Sequence, residues 1–352
     1  MDDNPRSNGT TPDLPTIARR WVAPVAASAA LALGLAAAVD FVNGPATPSR
    51  TAKKTASRPP ADVSVPTLMS TDLPLPRHLV GVPATGAAVE VQDVRTRTPA
   101  GSLRAPANRR LQQVAAAGGG SYVVSAAAGN ATVFYRLRLA GDGRPAALTA
   151  LPRVRVPGAS TTWSDMAVSQ DGGTIAYASY RTASRKLAID TVSMATGTRR
   201  TWTTSLPGRI GALSWAGRNL SFVWLPTRGG TVVRRQVRVL DTTRPGGDLT
   251  VSRPVFTLPA GADTAVMSRD GTTIVTGLAD RSGVGLAAYE TAGGRQTAVL
   301  WRWPGDSPRV TRLIPDSTGA DLIVGTQDGR LVVGPAHGAT ATTVSALSDL
   351  AW

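Results

Sequence analysis

From about Arg77 to Trp352 the chain is a succession of short apolar runs rich in Val, Leu, Ile, Thr and Tyr, broken by Gly, Asp and Pro. No stretch there sustains a 3.6-residue period, so the pattern predicts strands and tight turns throughout. One unit reads Ser164-Asp165-Met166-Ala167-Val168-Ser169-Gln170-Asp171-Gly172-Gly173-Thr174-Ile175-Ala176-Tyr177: an apolar strand, an Asp-Gly turn and a second strand. The run Thr264 to Val275 repeats it closely, Ala212 to Val223 repeats it with a shortened turn, and Arg312 to Val324 repeats it with a lengthened one. A degenerate copy runs from Val114 to Val124.

After each pair comes a third strand, at Thr132 to Leu139, Arg185 to Val192, Gln236 to Leu240 and Gly285 to Tyr289. A polar turn follows, such as Gly141-Asp142-Gly143, Thr196-Gly197 or Arg244-Pro245-Gly246-Gly247, and then a fourth strand. The turn-preceding residues Val168, Trp215, Met267 and Ile314 are spaced by 47, 52 and 47 residues. Four strands in about fifty residues, repeated, is the signature of a β-propeller blade. Six blades fit, with seven as the alternative. The first blade draws three strands from residues near 79–82, 88–94 and 101–104 and lacks an innermost one. Ala346-Leu347-Ser348-Asp349-Leu350-Ala351-Trp352 matches Trp163-Ser164-Asp165-Met166-Ala167-Val168 in register, so residues 346–352 are expected to supply that strand and bury Trp352.

The N-terminal quarter is different in texture. Residues 1–20 are polar and without period, as in a disordered tail. Trp21 to Val39 carries no charge and nine Ala, with Leu31, Leu33 and Leu35. At ~1.5 Å per residue it reaches ~28 Å, enough to cross a hydrocarbon core of ~30 Å. This predicts an anchor within 21–43, spanning at 24–39. Arg19 and Arg20 abut it, which places the N-terminus in the cytoplasm and the later residues outside. The alternative is export with cleavage near Ala36-Ala37-Ala38, Arg19-Arg20 then standing for a twin-arginine signal. Residues 44–76 hold seven Pro among Thr, Ser and Ala and read as an extended spacer.

Composition narrows the chemistry. The chain has no Cys, two His and two Glu (Glu90, Glu290), which removes disulfides, thiol catalysis, zinc ribbons and paired-glutamate glycoside hydrolysis. Net charge is +15, and three Lys leave 35 Arg. An Arg excess with abundant Ala, Gly and Pro follows from GC-rich coding, and the scattered Arg show no basic stripe of the kind nucleic-acid binding needs. A basic surface does suit anionic lipid or acidic polymers.

The apolar strand followed by Ser-x-Asp-Gly and a second apolar strand resembles the TolB-like and WD-like propellers of bacterial envelopes. With its tail, anchor, spacer and Arg-rich blades, the whole chain looks like membrane-anchored WD-like propeller proteins of actinobacteria. That resemblance covers most of residues 77–352 and implies a fold more than an activity. No Trp-Asp dipeptide ends each blade, so the eukaryotic type of repeat is not supported.

The Asp-Gly pairs at 142, 171, 270 and 328 are read as hairpin turns, because Gly accepts positive φ and the acidic spacing of a calcium loop is missing. His78 and His337, without a third ligand, make a poor metal site. Trp301 and Trp303 alternate on one strand and are read as packing between blades. No nucleophile elbow or phosphate loop appears. The candidate central-channel residues are Asp165, Asp349, Thr264 and Thr311. No catalytic, cofactor or metal residue is assigned and no cofactor is expected. The reading is a non-catalytic binding or scaffold module on a membrane tether, presenting a propeller face to a protein, peptide or envelope polymer. The alternative is a propeller hydrolase or lyase working at the channel with Asp165, Asp349 and nearby Arg.

Overall fold

The computed structural model describes residues 77–352 except 95, 97, 162–163, 182–183, 185, 281–282, 305–308, 316–321, 327–329, 335–339 and 344–346. The expected tail, anchor and spacer, together with His337 and Asp328, lie outside the described residues, as do the side chains of Trp301 and Trp303. Among the described residues no helix is long and apolar enough to cross a membrane.

Among the described residues the strands form six sheets, antiparallel but for one short added strand, arranged as a propeller. From the channel outward, the first blade runs Leu347–Ala351, His78–Pro83, Ala88–Asp93 and Thr98–Arg104, and the second Arg110–Ala116, Ser121–Ala127, Ala131–Leu139 and Pro145–Pro157. The innermost strands of the next four are Asp165–Val168, Gly208–Ala216, Ala265–Met267 and Val310–Pro315. Each inner strand begins after the outermost strand of the preceding blade, so all six run in one direction along the axis. One face of the ring therefore carries the inner-strand starts, and the other carries the tight turns that follow them.

Each sheet packs its two faces against its neighbours, which is why the middle strands are apolar on both sides. Thr174–Arg181 and Lys186–Ser193 are buried over most of their length. One core joins the third and fourth blades through Ile189, Trp202, Phe222 and Leu249, and another joins the first and second through Val80, Val91, Val124 and Ala351. The fourth blade departs from the expected order at Arg244-Pro245-Gly246-Gly247. The chain does not turn straight into the fourth strand: Gly247–Asp248 first pairs in parallel with Trp202 and Thr203 of the third blade. A short 3-10 turn then buries Leu249 completely before Arg253–Thr257 returns to its own sheet.

The turns follow from their side chains. In the third blade Asp171 Oδ1 accepts from Ser169 Oγ (2.5 Å) and from the Gly173 N–H (2.9 Å), and Asp270 is held in the same way by Ser268 and Thr272. Gly172 at φ 66° must be glycine on two counts, because a Cβ there would also stand 2.7 Å from the carbonyl oxygen of Ala117. These aspartates are fully used by their own hairpins.

The ring closes through Leu347–Ala351, which pairs antiparallel with the first strand in the register Val80↔Ala351, Gly81↔Leu350 and Val82↔Asp349. Trp352, 4% exposed, packs with Leu79 and Leu350 of the first blade and Ile323 of the sixth. Trp352→Ala should cost ~3–5 kcal/mol, which for a domain of this size lowers the melting temperature by roughly 5–15 °C. Deleting residues 346–352 should lower it further. A deletion that melts like the parent would contradict closure by this strand.

Candidate functional site

A propeller turns its blades edge-on to the axis, so each inner strand offers the channel the backbone groups of its unpaired edge. Four inner strands carry register shifts, those of the first and sixth blades among them. The wider ones fall between Leu111 and Val114 in the second blade and between Gly211 and Ser214 in the fourth, where Ala212 takes φ 53°. A bulge leaves extra N–H groups off the ladder, and each must find another acceptor.

The preceding blade supplies it. The Val114 N–H donates to Asp349 Oδ2 (2.7 Å), and the Leu213 N–H donates to Asp165 Oδ2 (2.9 Å). In both cases the pattern is Asp-apolar-Ala. Alternation along the strand sends Asp349 and Ala351, or Asp165 and Ala167, toward the next blade, and the intervening Leu350 or Met166 toward the previous one. The cores agree: Ala351 belongs to the core shared with the second blade, while Leu350 packs with Ile323 of the sixth. Asp165 Oδ1 also accepts from its own strand, from the Met166 N–H (2.8 Å).

Asp349 has a second partner. Arg312, on the inner strand of the sixth blade, donates from Nη1 to Asp349 Oδ1. One carboxylate thus touches the sixth blade through an ion pair, the second through a backbone N–H, and the first through its own strand. Its side chain is 4% exposed and that of Arg312 28%.

All four candidate channel residues, Asp165, Asp349, Thr264 and Thr311, line one cavity of about 620 Å³ on the axis. Thr264 is buried, and Thr311 is exposed and donates to the Gly325 carbonyl (3.4 Å). At the mouth on the strand-start face, Asp263 bridges two arginines, accepting from Arg235 Nε at Oδ1 (2.6 Å) and from Arg309 Nη1 at Oδ2 (3.0 Å). Sequence reasoning missed Arg312, Asp263, Arg235 and Arg309. For Arg312 a signal existed: it occupies the repeat position that Met166 fills in the third blade and Ala265 in the fifth, and a charge inside an otherwise apolar inner strand calls for a partner. His78 stands elsewhere, its ring against Gly143. Among the described residues no group of three His, Asp or Glu could hold a metal ion.

Burial pushes the Asp349 carboxyl up to about 6; the Arg312 guanidinium pulls it back, Asp165 adds to the rise, and the N–H groups of Val114 and Leu350 oppose it. Burial works against the Arg312 charge, but Asp349 and Asp165 outweigh it and hold its pKa above the ordinary value. A folded-state pKa above that of the unfolded chain means that Asp349 binds its proton more tightly when folded. Its ionised form is therefore a cost at neutral pH, on the order of 2–3 kcal/mol, that is relieved as pH falls through 6 toward the unfolded value near 4. Wild type should gain stability relative to Asp349→Asn between about pH 7.5 and 5, as read by denaturant unfolding of both proteins at each pH. A relative loss over that range would mean that Arg312 prevails and the carboxyl pKa is depressed.

No family model matches the chain, and no curated protein matches it. Solved structures do. TolB from Acinetobacter baumannii superposes with a TM-score of 0.51 at 14% identity, covering 78% of this chain and 66% of that one. The chain thus spans just under two thirds of that protein's length. A nidogen/laminin complex matches with a TM-score of 0.51 at 13% identity over 78% of this chain and 97% of that one. A putative TolB from Agrobacterium tumefaciens gives 0.48 at 18% identity over 73% and 87%. At such identities the likeness is one of architecture, and the chain has the TolB-like β-propeller fold.

Proposed function

We propose that this protein is a non-catalytic binding module, tethered to a cell membrane by its N-terminal segment with the propeller outside the cytoplasm, and that it presents the channel-bearing part of the ring to a protein partner. The observation that carries this reading is the state of the channel acids. Asp165 and Asp349 each have both carboxylate oxygens engaged by backbone N–H groups or by Arg312, and Asp263 is shared by two arginines. A general acid or base needs an oxygen that can reach a substrate, and these oxygens hold blades together. The raised pKa of Asp349 is what a channel hydrolase or lyase could use, but the side chain is almost wholly enclosed. A protein partner accords with nidogen, whose structure is that of a nidogen/laminin complex.

Topology and binding are tested separately. Protease added to intact spheroplasts should degrade the propeller; full protection would overturn the outward placement. A photo-crosslinking residue placed at Arg234, beside the channel mouth, should yield a discrete protein adduct in intact cells. No adduct at any position on either loop face, or substrate turnover abolished by Asp165→Ala, would overturn the binding-module reading.

A further inference from the structure

The two loop faces differ in how their arginines are paired. On the face of the tight turns four arginines meet carboxylates, Arg144 with Asp142, Arg244 with Asp241, Arg295 with Glu290 and Arg77 with Asp93, while the exposed Arg218 stands singly in its turn without a carboxylate among the described residues. On the face of the strand starts, Asp263 is shared by Arg235 and Arg309, and Arg181 reaches the buried Asp190 of its own blade. Around the same mouth Arg109, Arg110, Arg228 and Arg234 are exposed, and among the described residues no carboxylate pairs with them. Two lie at the start of the second blade's inner strand and two belong to the fourth blade, with the third blade between them. Burial, and after it the charge of Arg234, lowers the pKa of Arg238, as expected where cations crowd.

The same face is also where apolar side chains stand in water. Leu206 precedes the fourth inner strand and is 49% exposed; Val233 lies between Arg228 and Arg234 in sequence and is 59% exposed. The other exposed large hydrophobics, Val251 and Val299, lie on outer elements and not at the mouth.

We propose that this face docks an acidic protein segment in which carboxylates alternate with aliphatic side chains, its carboxylates meeting Arg228 and Arg234 and its apolar groups meeting Val233 and Leu206. The inference rests on the binding-module reading and names the face and the chemistry of the partner. Excess positive charge at a concave mouth attracts an anionic chain and speeds its capture. A bare polyanion would leave Leu206 and Val233 uncovered, whereas a peptide covers both. A lipid surface fits less well, because the protruding groups are aliphatic and not the Trp and Tyr that settle at membrane interfaces, and the mouth is concave. Arg77, the first described residue, stands at the opposite face, where its carbonyl accepts from the Val94 N–H.

The test compares two charge reversals of equal size in the full-length protein: Arg228→Glu/Arg234→Glu at the mouth, and Arg218→Glu/Arg295→Glu on the turn face. The probe is a labelled glutamate–leucine copolymer, with polyglutamate, inorganic polyphosphate and phosphatidylglycerol vesicles as comparators. The mouth variant should bind the copolymer at least about tenfold more weakly, the turn-face variant within about twofold of wild type, and wild-type binding should weaken as salt is raised. Equal loss in both variants, or wild-type binding to polyglutamate, polyphosphate or vesicles as tight as to the copolymer, would overturn the proposal. A partner crosslinked at Arg234 and retained with undiminished affinity by Arg228→Glu/Arg234→Glu would overturn this inference and leave the binding-module reading intact.

Discussion

A ring of sheets has one junction that no loop between consecutive blades spans, and here Leu347–Ala351 lying against His78–Pro83 builds the first sheet from both ends of the described propeller. Without that pairing the first and sixth blades would each expose an apolar face and an open edge. Asp349 reinforces the seam from within. Its carboxylate satisfies a bulge N–H in the second blade and an arginine in the sixth, so three consecutive blades share one buried group. A buried ion pair of this kind adds little net stability but penalises arrangements that would leave either charge alone. It therefore specifies where the ring closes more than it strengthens the closure, which comes from the apolar contacts of Leu350 and Trp352.

The same device recurs two blades on, where Asp165 serves Leu213. The channel's carboxylates have a role in the architecture, so the proposed binding falls to the loop faces. On the turn face several arginines meet a nearby carboxylate, whereas Arg109, Arg110, Arg228 and Arg234 at the other face meet none among the described residues. Turn chemistry contributes to that difference: tight hairpins select Asp, which then sits beside a neighbouring Arg, whereas the longer connections at the strand starts make no such demand.

The architecture was largely legible in the sequence because its repeat is written in positions that must face a core or turn a corner. Asp171-Gly172 and Asp270-Gly271 mark hairpins through chemistry local to four residues, and the match of Ser348-Asp349-Leu350-Ala351 to Ser164-Asp165-Met166-Ala167 pointed to the closing strand. Asp165, Asp349, Thr264 and Thr311 stand at equivalent places in the repeat register, which is what singled them out together. What the residues around them do was not legible. The Arg312–Asp349 pair and the Asp263 bridge join residues 28 to 46 positions apart in the chain, and a degenerate repeat does not say which side chains meet across a blade boundary. The detour of Gly247–Asp248 to the third blade was hidden for the same reason: Pro245-Gly246-Gly247 reads as a turn, and nothing local reports that its far side finds the edge of another sheet.

If closure by the C-terminal strand makes the six sheets mutually dependent, the propeller must melt as one unit. Differential scanning calorimetry of the protein tests this directly, through the ratio of the calorimetric to the van't Hoff enthalpy of the propeller transition. Closure predicts a single transition with a ratio near one. Two or more separable transitions, or a ratio well above one, would mean that groups of blades unfold independently and that the shared sheet does not bind the ring into a cooperative whole.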